Sequence, residues 1–173
     1  MLLPRDQALR FIEGYKTVLL RVLEYTQTPR TASLNQDLAD ARALVSSDPH
    51  LVDAALAELA SEDHTVEPTV VAAIRTLRLK RWFYLRHGKT FAVFLDKEIK
   101  SAYAVRALTT PLNELLDEPP FLIKAGMLEF ENHFICDGLV LNSVALGSGY
   151  RVQLNAAYTR IRKEGNFHAR PAS

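Results

Sequence analysis

One cysteine in 173 residues excludes an intrachain disulfide framework and any zinc site built on paired cysteines. No stretch approaches the roughly 18 uninterrupted apolar residues that a membrane-spanning helix needs, so no membrane partner is expected. The start, Met1-Leu2-Leu3-Pro4-Arg5-Asp6, has no charged segment followed by an apolar one. A cytoplasmic protein without a secretory signal is therefore the expectation. Neither sign of charge dominates: 21 Lys and Arg stand against 20 Asp and Glu, for a net charge of +1. That balance, with 48% apolar and 24% charged residues, excludes a disordered or collagen-like chain. A chain of this size buries about 70% of its unfolded surface, enough to fold without staples.

The charge that is present is unevenly placed. Residues 1–74 carry 11 acids and 6 bases, net −5, and residues 75–173 carry 9 acids and 15 bases, net +6. Residues 34–67 hold eight acids against Arg42 alone, whereas 75–89 hold six bases and no acid. Such asymmetry points either to a polyanionic partner or to two parts that attract each other.

The first part reads as helices. Ala8, Phe11, Ile12, Tyr15, Val18, Leu19, Val22 and Leu23 recur at helical spacing, and Thr28-Pro29 stops the run. Ser33-x-x-Gln36 predicts a capping box ahead of Leu34, Leu38, Ala41 and Val45. Asp48-Pro49 starts a third helix and Glu67-Pro68 a fourth.

The character changes near Leu79. The pattern predicts strands at 81–86, 90–95, 99–108, 121–130 and 134–141. A short helix follows Thr110-Pro111 and stops at Asp117-Glu118-Pro119-Pro120. Gly147-Ser148-Gly149 precedes a last helix with Val152, Leu154, Ala157, Tyr158 and Ile161 inside, ended by Gly165. The tail is expected to be loose or to add a short edge strand through Phe167. Helices followed by strands argue an α+β fold. About four N-terminal helices (1–79) should pack on a small antiparallel sheet or open barrel (80–173), closed by a C-terminal helix, as one cooperative unit.

Trp82-Phe-Tyr-Leu-Arg86 with Phe91-Ala-Val-Phe-Leu95, Tyr103-Ala-Val, Asp137-Gly-Leu-Val140 and Gly147-x-Gly149 together give the second half a recognisable outline. Over about residues 50–165 it resembles an uncharacterised bacterial protein family with a helical N-terminal part and a small β-rich part. That resemblance implies the fold and no catalytic role.

Few residues suggest chemistry. Cys136 and His133 are the nearest thiol and base, but on a strand three residues apart they face opposite sides. His50, His64, His87, His133 and His168 show no metal-ligand spacing, which leaves a site assembled in space from His87, Asp96, His133 and Asp137 as an open question. Asp137-Gly138 reads as a turn within a strand. Gly147-Ser148-Gly149 would offer free backbone N–H groups to an anion, with Ser148 near the N-cap, but lacks the Lys-Ser/Thr of a P-loop.

The strongest surface candidate is the basic-aromatic segment: Arg75, Arg78, Lys80, Arg81, Trp82, Arg86 and Lys89. Its bases suit phosphates and its rings suit nucleobases. Strand alternation competes with that reading, since Trp82 and Tyr84 share one face and Arg81, Phe83 and Leu85 the other. No motif joins an acid, base, nucleophile and metal, and no cofactor is implied. The first expectation is a non-catalytic protein-interaction or regulatory module. The second is nucleic-acid binding through 75–89, and the third an enzyme of unspecified type.

Overall fold

The computed structural model describes residues 2–116 and 118–172. Asp117, assigned by sequence to the stop after the short helix, lies outside them. Four helices come first: α1 (Arg5–Tyr25), α2 (Leu34–Ser47), α3 (His50–Ser61) and α4 (Pro68–Arg75). Then come β1 (Arg78–His87), β2 (Ala92–Asp96), β3 (Ala102–Arg106), α5 (Leu112–Leu115), β4 (Phe121–Phe130), β5 (His133–Cys136) and β6 (Leu141–Ala145). The chain ends with α6 (Ser148–Lys163) and the two-residue β7 (Phe167–His168). The α+β architecture closed by a C-terminal helix is therefore as the pattern predicts.

Local chemistry explains the helix starts. Ser33 Oγ accepts the Gln36 N–H, so half of the capping box forms, but the Gln36 side chain turns to Asp40 at 2.8 Å instead of reaching back. Asp48 Oδ1 accepts the His50 N–H at 3.1 Å, and Pro68 opens α4. The first residues of α6 depart from expectation: Gly147, not Ser148, is the N-cap, and no side chain caps it.

The sheet is mixed, not antiparallel. Strands run in the order β1-β2-β3-β5-β4, and β1 pairs β4 along Arg78–Tyr84, which closes these five into a barrel. β5 joins β3 in parallel through Val105↔Phe134. β6 extends β4, and β7 lies parallel to β3.

Three apolar layers follow. The barrel interior holds Trp82, Tyr84, Phe94, Val105, Ile123, Met127 and Phe134. On one outer face, Leu85, Val93 and Leu95 pack against Leu154, Tyr158 and Ile161 of α6. On another, Leu108, Leu128, Phe130 and Ile135 join Phe11, Leu19, Val22 and Ile74 of the bundle. Val152, placed inside by the sequence pattern, is 70% exposed, because the covered stripe runs through 154, 158 and 161. The predicted strand 134–141 is two strands. Gly138 takes φ +77°, a turn that separates β5 from β6. No helix among the described residues is long and apolar enough to cross a membrane.

Candidate functional site

The basic-aromatic segment does not form one surface. Trp82 is buried inside the barrel and donates its Nε1–H to the Ala125 carbonyl at 3.1 Å, so its ring is closed to a nucleobase. Arg75, at the end of α4, pairs with Asp53 at 2.5 Å, and Arg78 pairs with Glu129 and lies over the Phe134 ring. Both carry their own counter-charge, Arg75 on α3 and Arg78 on β4. Lys80, Arg81 and Lys89 are exposed, and Arg81 sits directly opposite Lys124 on β4. Like charges opposed across a ladder repel.

Arg86 is the member that joins other groups. From the end of β1 it lays its guanidinium 4.6 Å from the Tyr158 ring centroid on α6. Arg162 approaches the same ring at 5.9 Å. Arg86, Asn155, Tyr158, Thr159, Arg162 and Lys163 line a cleft of about 530 Å³. A second cleft of about 480 Å³ adjoins it, lined by Leu85, Arg86, His87, Asn113, Glu118, Pro119, Arg151 and Asn155. Arg86 and Asn155 belong to both, so the two run together along α6. From Arg151 to Lys163 the helix rises about 18 Å, at roughly 1.5 Å per residue.

Four bases line this groove against one acid, Glu118. Among the described residues no carboxylate lies within 4.0 Å of a nitrogen of Arg86, Arg151, Arg162 or Lys163. Arg151 instead donates to the Pro119 carbonyl at 2.6 Å, which ties the start of α6 to the loop before β4. Burial lowers the pKa of His87, whose Nδ1 has no partner. The sequence reading missed the α6 half of this groove. Its signal was present: Arg151, Arg160, Arg162 and Lys163 are α6's only charged residues, with no acid among them.

Comparison with protein families, curated proteins and solved structures finds no match.

Asp137 is far more than a turn residue. Its Oδ1 does accept the Leu139 N–H at 3.2 Å, as a turn predicts. Its carboxylate also takes Arg42 Nη1 at 2.8 and 3.0 Å and the Tyr15 hydroxyl at 3.3 Å, all buried. Burial pushes the Asp137 carboxyl above the usual range, against the pull of Arg42. Tyr15 is raised too, first by burial and then by Asp137. Beside them the Cys136 thiol is pushed up to about 12 by burial, which leaves it protonated and a poor nucleophile at neutral pH.

The four groups His87, Asp96, His133 and Asp137 do not converge. Asp137 serves Arg42, and Asp96 Oδ1 accepts the Lys100 and Ser101 N–H groups in the β2–β3 turn. Among the described residues no three His, Cys, Asp or Glu side chains stand close enough to hold a metal ion. Gly147, Ser148 and Gly149 are exposed, and space is open around both glycines.

Proposed function

We propose that the protein binds single-stranded nucleic acid along the α6 groove. The observation that carries this reading is the alignment of Arg86, Arg151, Arg162 and Lys163 in one continuous cleft whose lining holds a single acid, Glu118. Arg86 and Arg162, which share the Tyr158 ring, repel one another, and a phosphate backbone relieves that repulsion while releasing its own counterions. Between the charges, Asn155 keeps one amide N–H after donating the other to the Arg151 carbonyl at 2.8 Å, while the Thr159 hydroxyl donates to the Asn155 carbonyl at 3.0 Å. The groove is concave, so it admits a flexible strand more readily than a stiff duplex. Guanidinium planes, with Tyr158 behind them, offer faces on which bases stack. Small barrels are a recurring platform for single strands, though fold alone does not assign function.

Fluorescence anisotropy with a labelled oligonucleotide tests the reading. Affinity should fall as salt rises, with about 0.7 of log–log slope per phosphate contacted, so three or four contacts give a slope near −2 to −3. Arg86→Glu with Arg162→Glu should weaken binding more than tenfold and flatten the slope. Arg75→Gln, which lies off the groove and loses only an exposed ion pair, should change neither. Absence of binding at low salt, or an equal loss in Arg75→Gln, would remove the proposal.

A protein partner is the second reading, and a separate observation favours it. Val144, Tyr150 and Val152, near the start of α6, are 56%, 53% and 70% exposed. Large apolar side chains left this open suit a contact surface.

A further inference from the structure

A cavity of about 370 Å³ lies at the seam of bundle and barrel, and it shares no residue with the α6 groove. α1, the first turns of α2, the 107–112 segment after β3 and residues 136–139 after β5 all contribute to it. Its walls are branched aliphatic: Ile12, Leu34, Leu38, Leu108, Leu112 and Leu115. Leu34 and Leu115 remain 43% and 46% exposed, so part of this apolar lining faces water at the mouth. The volume falls at the low end of the range for small-molecule sites, which are mostly apolar with a few placed polar groups.

The polar groups fix the sign of the occupant. Lys16 stands one helical turn after Ile12, on the same face of α1, and is exposed. Among the described residues no carboxylate lies within 4.0 Å of its nitrogen. Asn35 and Thr109 lie alongside. The one acid in the lining, Asp137, has its side chain fully buried against Arg42 and is closed to a ligand cation. The Tyr15 hydroxyl is likewise engaged with Asp137.

We propose that this cavity binds a short- to medium-chain carboxylic acid, with its alkyl chain on the leucines and its carboxylate at Lys16. The flexible aliphatic wall suits a chain more than a flat ring. The lone unpaired cation at the mouth suits one carboxylate.

Calorimetric titration of the full chain with hexanoate, octanoate, octanol and octylamine tests this. Octanoate should bind saturably at one site and raise the unfolding temperature, since it stabilises only the folded state. Each added methylene should tighten binding about fourfold, so octanoate should exceed hexanoate by about fifteenfold until the chain outgrows the cavity. Lys16→Glu should reverse the preference, weakening octanoate and strengthening octylamine while leaving octanol unchanged. Lys16 is exposed, so the variant should keep the native circular dichroism spectrum. Leu34→Trp, at the exposed mouth, should block all four ligands. Arg86→Glu with Arg162→Glu should bind octanoate normally, which separates this site from the groove. No saturable octanoate binding would overturn the proposal. So would an octanoate affinity indifferent to Lys16→Glu, or binding that survives Leu34→Trp.

Discussion

Arg42 and Asp137 are 95 residues apart, yet their side chains are 1% and 0% exposed and meet at 2.8 Å. Arginine does not release its proton in a protein, so its burial requires a compensating acid. The sequence carried a trace of this in Arg42, the one base among eight acids, but nothing local points from there to Asp137. Glycine at 126 belongs to the same arrangement, since a Cβ there would stand 2.2 Å from Asp137 Oδ2. Asp137→Asn should therefore cost about 3–5 kcal/mol in urea unfolding, because it strands a buried charge. Arg42→Met combined with Asp137→Leu should lose much less than the two single changes added together. Additive losses would show that the pair is not coupled. The neighbouring Cys136 gives a second residue-scale prediction. With its thiol pushed up to about 12, only roughly one molecule in ten thousand carries the thiolate at pH 8. A thiol reagent should label it slowly in the native protein and quickly in denaturant. Equal rates in the two states would show that the thiol is accessible.

Elements with a local period were legible in the sequence, and elements defined by distant partners were not. The helical stripe of α1 and the ten-residue run of β4 coincide with what the structure shows, since each is dictated by its own side chains. The parallel β3–β5 pairing and the β1–β4 closure are set by chain segments far apart, and no local pattern announces them. The break after β5 was hidden by the apolar run Leu139-Val140-Leu141. It exists because Asp137 turns to Arg42 and Gly138 takes a positive φ. The groove was half legible: Arg86 stood out within the basic segment, but its partners arrive from α6, some 70 residues later. The orientation of that helix yields a paired prediction. Leu154→Ala should cost about 2–5 kcal/mol, as buried leucines do. Val152→Ala, in the same helix, should stay within about 0.5 kcal/mol, because 70% of that residue already faces water. Comparable losses at both positions would mean that α6 is rotated relative to the barrel.

At the scale of the molecule, two halves of opposite net charge meet across an apolar seam. Leu128, Phe130 and Ile135 belong to barrel strands but pack with the side chains of α1 to α4. The Phe130 ring lies 5.2 Å from that of Phe11. The Arg42–Asp137 pair crosses the same boundary, as do the exposed contacts of Arg10 with Glu131. Salt at 1 M shortens the screening length to about 3 Å and weakens the exposed contacts, but it leaves apolar burial and a dry ion pair largely intact. Neither half can expose its side of this seam cheaply, so bundle and barrel should unfold together. The chain supplies a clean pair of probes. Its one tryptophan, Trp82, is buried inside the barrel and reports on the barrel through fluorescence. Far-ultraviolet circular dichroism at the helical minimum reports chiefly on the bundle. Urea transitions followed by the two signals should coincide, at low salt and at 1 M salt alike. Phe130→Ala should shift both midpoints down together, because it removes a ring that both halves use. A bundle signal that melts while Trp82 fluorescence stays native would show instead two units joined only by charge.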